Sequence, residues 1–140
     1  MTLKFKYKKV KRPNNTEVKS PSIPISLQGN GSKYEFVALL DSGADVSAIP
    51  KDVAELLGLD LSGKREETRG IGGIVQGVSS KVNLEVGKPH EVYSMTLPVK
   101  VILDGLDKEM PIIIGRNGFF DSFVITFDQK KETISLKKNN

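Results

Sequence analysis

The sequence predicts an all-β domain, a barrel or sandwich carrying one or two short helices. Three observations carry that expectation. Apolar and polar residues alternate with a period of two through several short segments, the pattern of strands with one buried face. Turn formers punctuate those segments, with 13 Gly and 7 Pro among 140 residues, and Trp is absent. Only stubs of helical pattern fall between the strands. A chain of this length buries roughly 68–70% of its unfolded surface, enough for one core without staples. No repeat or linker divides it. Residues 1–140 therefore read as a single domain, with a core over 20–137 behind a basic strand and loop over 1–19.

The elements follow in order. Residues 2–10 place Leu3, Phe5 and Tyr7 on one face and Lys4, Lys6 and Lys8 on the other, a half-exposed strand whose lysines guard an edge. Pro13-Asn14-Asn15 ends it in a loop. Ser22 to Leu27 and Tyr34 to Leu40 read as a hairpin turning at Gly29-Asn30-Gly31-Ser32. The end of the second strand, Val37-Ala38-Leu39-Leu40, is apolar on both faces and is expected to be buried on both. Asp41-Ser42-Gly43 follows at once. Pro50 leads a short helix over Lys51 to Leu57, stopped by Gly58.

Strand character returns at Glu66–Arg69, breaks at Gly70-Ile71-Gly72-Gly73, and resumes through Ile74–Val75 and Ser79–Val86. Glu91 to Leu103 makes a long strand interrupted by Pro98, and Met110 to Ile114 a short apolar one. Gly115 to Phe120 opens a tight turn or brief helix. Phe123–Phe127 and Thr133–Leu136 close the chain as a hairpin.

Composition limits the chemistry. There is no Cys, so disulfides, a thiol nucleophile and Cys-ligated metals are excluded. His90 is the sole histidine, and a zinc site of the His/Cys kind is not expected. The net charge of +4 comes from residues 1–12, which hold six basic residues and no acid; the other 15 basic and 17 acidic residues net −2. A general nucleic-acid surface is therefore not expected, although a basic arm stays open. No apolar run of about 18 residues suggests a membrane span. The charged N-terminus has no apolar core of a secretory signal, so a cytoplasmic protein is the expectation.

Asp41 is the outstanding position, a carboxylate directly behind an apolar strand, where it needs a hydrogen-bond network or a function. On the tripeptide alone, an Asx turn in which Asp41 caps its own backbone is the ordinary explanation. Other constellations fail. Gly70-x-Gly72 lacks a third Gly at Val75, so it is no dinucleotide loop. His90 sits in a Gly-Lys-Pro-His turn with no serine elbow near it. Asp104, Asp107 and Glu109 lack calcium-loop spacing and read as solvated charges.

Three segments in order change the reading. Asp41-Ser42-Gly43-Ala44-Asp45 after Ala38-Leu39-Leu40 resembles the active-site signature of retropepsin-like aspartic proteases. Ile112-Ile113-Ile114-Gly115-Arg116-Asn117 resembles that family's second signature, and Gly70-Ile71-Gly72-Gly73-Ile74 lies where the family has its flap hairpin. The resemblance spans residues 22–120. It implies a closed, barrel-like acid-protease fold, with no cofactor and no metal. It also implies an aspartic endopeptidase acting on polypeptide.

Carried over residue by residue, Asp41 would be the catalytic aspartate. Ser42, where Thr is commoner, would lock two active-site loops across a dimer axis. Gly43 would let substrate backbone approach, and Ala44 completes that loop. Asp45 would pair with Arg116, holding the loop against the Gly115 turn. Ile113 and the flap residues Ile71, Gly72, Gly73 and Ile74 would cover and line apolar substrate pockets. In aspartic proteases as a class, two carboxylates about 3 Å apart share one proton and serve as both acid and base. One Asp-Ser-Gly per chain then implies a homodimer with Asp41 facing Asp41, favouring mildly acidic pH.

Two features depart from the viral pattern. About 20 residues follow Phe120 as a self-paired hairpin, which is closer to cellular and prokaryotic relatives, including the protease-like domain of ubiquitin-shuttle proteins. That leaves the dimer interface open. The basic first strand is also extra: an edge, a dimer strand or a partner-binding arm. The alternative function is a non-catalytic β-barrel module for dimerisation or peptide binding, using that basic strand on an acidic partner.

Overall fold

The computed structural model describes residues 2–11, 14–70, 73–104 and 110–140. Its strands are β1 (Thr2–Lys6), β2 (Lys8–Lys11), β3 (Glu17–Ser20), β4 (Ser22–Gln28), β5 (Lys33–Leu40), β6 (Ser47–Pro50), β7 (Arg65–Gly70), β8 (Gly73–Lys88), β9 (Glu91–Ile102), β10 (Ile112–Ile114), β11 (Phe123–Asp128) and β12 (Thr133–Lys138). A helix, α1 (Lys51–Leu56), follows β6, and one wide helical turn spans Arg116–Phe120.

The main sheet runs β4-β5-β10-β6-β9-β8-β7, and β4 also pairs with β8. That extra pairing, from Ser26↔Glu85 to Gln28↔Asn83, closes six strands into a ring, with β7 attached as the outer arm of a hairpin. Period-two alternation fills the ring. Ile23, Ile25 and Leu27 of β4 are buried while Pro24 is exposed, and Leu84, Leu97, Val101 and Ile114 meet them from other strands. The all-β fold expected from the sequence is thus observed, and the ring fits the closed, barrel-like form that the resemblance implied.

Several elements differ from the sequence pattern, each for a tertiary reason. β6 is only four residues and ends in Pro, so its local signal is weak. It exists because β9 pairs with it in parallel and β10 in antiparallel fashion. β8 runs unbroken through Gly77, where a Cβ would lie 2.9 Å from the Lys100 side chain. Gly77 therefore marks close packing, not a strand break. β9 likewise continues through Pro98, which pairs with Lys81 one residue before the β6 pairing begins at Val99. A residue lacking an N–H is tolerated there.

α1 matches the expected stub: Pro50 stands at its N-cap with φ −74°, and Gly58 follows with φ +69°. A left-handed φ suits Gly at a helix end. In the Arg116–Phe120 turn, Gly118 takes φ +92° and breaks the helical geometry.

A second sheet, β1-β12-β11, lies beside the ring. The C-terminal hairpin forms as read, with Phe127 opposite Ile134. The sequence pattern did not reveal that β1 joins it, Leu3 opposite Leu136 and Phe5 opposite Ile134. Leu3, Phe5, Phe123, Ile134 and Leu136 bury one face, and Phe119 packs 5.1 Å from Phe123 to tie that face to the turn after β10. The first strand stops at Tyr7, whose N–H donates to the Glu132 carbonyl at 2.9 Å; beyond it β2 pairs with β3.

Candidate active site

The site grows from two strand ends held side by side. β5 and β10 run parallel, with Ala38 opposite Ile112 and Leu40 opposite Ile114. Ala38 and Leu40 are buried, but Val37 is 50% exposed and Leu39 only half-buried. The expectation of burial on both faces is corrected: the outer face of β5 stays half-exposed at Val37.

Asp41 extends the ladder by one bond, its N–H donating to the Ile114 carbonyl at 2.9 Å. The chain then folds over the Asp41 side chain. Gly43 N–H donates to Asp41 Oδ1 at 2.9 Å, and Ala44 N–H donates to the Asp41 carbonyl at 3.2 Å. The Asx turn expected on local grounds is therefore present. It fixes the carboxylate at the lip of the strand, half-buried, with Ser42 and Gly43 exposed beside it.

A second loop, Gly115 to Asn117, is laced onto the first. Gly115 N–H donates to Ser47 Oγ, Arg116 N–H to the Ala44 carbonyl and Asn117 N–H to the Asp45 carbonyl, each at 2.9 Å. Arg116 also forms an ion pair with Asp45. Those side chains are 55% and 85% exposed respectively, so the pair contributes at most about 1 kcal/mol to stability. The backbone bonds, not the salt link, set the relation of the two loops. Gly115 is required by space: a Cβ there would lie 2.7 Å from Val46 C and O and 2.8 Å from the Ala44 carbonyl.

Ser47 escaped the sequence reading. It is fully buried, a lone hydroxyl among Val46, Ala48 and Ile49, and that polar break in an apolar run was its only signal. Ser47→Ala would leave the Gly115 N–H without its acceptor and is expected to cost about 1–3 kcal/mol. Urea unfolding beside Ser47→Thr, which keeps the hydroxyl, checks this.

Ile113 is half-buried on β10, opposite Leu39 on one side and Ala48 on the other. In the β7–β8 hairpin, Gly73 is exposed with φ +115° and Ile74 is 54% exposed. Ile71 and Gly72 lie outside the described residues. No hydrogen bond or strand pairing among the described residues joins Gly73 or Ile74 to the Asp41 loop. The base of that hairpin is anchored: Leu103 N–H donates to the Gln76 carbonyl at 2.9 Å, and Gln76 N–H to Asp104 Oδ1 at 2.7 Å. Asp104 is thus a brace and not merely a solvated charge, while Asp107 and Glu109 lie outside the described residues.

Comparison with known proteins adds to the geometry. The family model described as aspartyl protease matches residues 23–117, which include both loops and the hairpin. No curated protein matches the sequence significantly. Among solved structures, a retropepsin-like aspartic protease from Rickettsia conorii shares the fold, with a TM-score of 0.55 at 20% identity over 97% of this chain and 91% of that one. EIAV protease aligns at a TM-score of 0.48 and 21% identity, over 71% of this chain and 84% of that one. The retroviral protease-like domain of Ddi1 from Leishmania major gives 0.45 and 18%, over 87% and 97%.

Proposed function

The chain belongs to the aspartyl protease family, and from that premise we propose that it is an endopeptidase working as a homodimer. Each subunit supplies one Asp41 carboxylate, and water held between the two is the nucleophile. The observation that carries this reading is the laced pair of loops, which fixes a single Asp-Ser-Gly carboxylate at an exposed lip while its Oδ1 is engaged by Gly43. One such carboxylate is half of an acid–base pair, and a two-fold axis beside the loop supplies the other half.

In that arrangement one carboxylate is ionised and takes a proton from water as it attacks the peptide carbonyl. The other is protonated and donates toward the leaving amine. Ser42, exposed next to Asp41, bonds across the axis to its counterpart. Gly43 leaves room for substrate backbone. The extended polypeptide lies under the β7–β8 hairpins, with Ile113 and Ile74 forming apolar side-chain pockets and Gly73, at φ +115°, letting the hairpin close.

A peptide library incubated with the protein across pH, with molar mass measured in parallel, tests the proposal. Cleavage of extended apolar sequences by a species of twice the chain mass is expected. An active monomer, or no cleavage at any pH, would count against it.

A further inference from the structure

The site described above leaves the basic first strand unused, and the structure gives it a definite geometry. β1 is one edge of the β1-β12-β11 sheet and pairs, among the described residues, with β12 alone. Its other edge offers backbone N–H and C=O groups to an incoming strand. Lys4 and Lys6 are exposed on one face, and neither belongs to an ion pair among the described residues. Lys137, exposed opposite Thr2, adds a third cation to that face.

We propose that the β1 edge is a docking site for an acidic extended peptide, which adds as a further strand with acids at alternate positions beside Lys4 and Lys6. Residues two apart in a strand are about 6.8 Å apart, so the lysine pitch on β1 equals that of alternate side chains on an added strand. Opposite charges then meet as cross-strand neighbours, while main-chain bonds supply affinity independent of sequence.

Two other occupants fit less well. A second copy pairing through β1 about a two-fold axis would set lysine against lysine, which is repulsive. Nucleic acid binds such strands by stacking bases on aromatic rings as well as by charge. Here the aromatic residues Phe5 and Tyr7 are buried on the opposite face, at 7% exposure each. The surface offers cations and a backbone edge, and no stacking platform.

Neither observation depends on peptide cleavage, so the test is run by binding. Fluorescence anisotropy of the full chain would use a labelled peptide alternating Glu with Thr, a control of equal composition with its glutamates gathered at one end, and a single-stranded oligouridylate. The alternating peptide is expected to bind tightest, to weaken with salt, and to lose about tenfold or more in affinity with Lys4→Glu/Lys6→Glu. Amide exchange at residues 2–6 should slow on its addition. Unchanged thermal unfolding, and unchanged cleavage wherever cleavage is found, would show that the double variant remains folded. Lys4→Ala/Lys6→Ala, with an intermediate loss of affinity, separates lost attraction from added repulsion. Equal binding of the control peptide, tighter binding of the oligouridylate, no binding of the alternating peptide, or indifference to Lys4→Glu/Lys6→Glu would each overturn the proposal. In that case the lysines serve only to keep the edge from self-association.

Discussion

Asp41→Asn is expected to lower kcat/KM by about 10⁴-fold, the upper end of what general acid–base catalysis contributes, because in the proposed dimer the carboxylate pair performs both proton transfers. The fold should not notice. Asp41 is half-buried at the lip of β5, and its structural work is one accepted hydrogen bond from Gly43 N–H at 2.9 Å. An asparagine carbonyl oxygen can accept the same bond, and the Asp41 main-chain bonds to Ile114 and Ala44 do not involve the side chain. Stability within about 0.5 kcal/mol of wild type is therefore expected. Kinetics on a cleaved library peptide, paired with urea unfolding, separates the two effects. A variant that still cleaves at a comparable rate would remove Asp41 from the chemistry. One that loses activity only because it unfolds would leave its role unassigned and contradict the expected split.

Gly115→Ala is expected to be the most destabilising single methyl in the site, costing about 3 kcal/mol or more. Gly115 has an extended backbone, with φ −94°, so the conformation itself is open to alanine. The obstacle is contact: the added Cβ would meet Val46 C and O at 2.7 Å and the Ala44 carbonyl at 2.8 Å. All three atoms are backbone, and none can swing aside as a side chain would. Relief requires the Gly115–Asn117 loop to move off the Asp41 loop, which breaks the bonds to Ser47, Ala44 and Asp45 together. Catalysis should fall with stability, since the same bonds position Asp41. Gly31→Ala is the control. A Cβ at Gly31 meets nothing within 4 Å, and a change inside about 0.5 kcal/mol is expected there. Equal urea midpoints for the two variants would refute the steric account of the Gly115 turn.

The pairings that could be read from sequence are those whose partner lies next along the chain. β4 with β5 and β11 with β12 are hairpins between clear turns, and their alternation survives in the structure. What could not be read depends on distant partners. β6 is defined by β9 and β10, and β1, legible as a strand, finds its partner β12 at the far end of the chain. Pro98, and the stretch between Val75 and Ser79 that holds Gly77, looked like interruptions because residue type speaks to propensity, while neighbouring strands decide the outcome.

The site divides in the same way. Asp41 stood out because a carboxylate is costly behind an apolar strand, whereas Ser42 to Asp45, Gly115 and Arg116 stood out only through the resemblance of their segments to the family signatures. Ser47 did not, since one serine in an apolar run acquires meaning only when the Gly115 N–H is brought to it. Val37 was misjudged for the complementary reason: its apolar side chain suggested burial, yet it stands half-exposed.

The central claim is that two chains each bring one Asp41 to a shared catalytic centre. Mixing wild type with Asp41→Asn at constant total protein, after allowing subunits to exchange, tests it most directly. In an equal mixture only about one dimer in four would carry two Asp41 carboxylates, so activity should fall to about a quarter of the wild-type value. Activity that instead falls to half, in proportion to the wild-type chain present, would mean that each chain works alone.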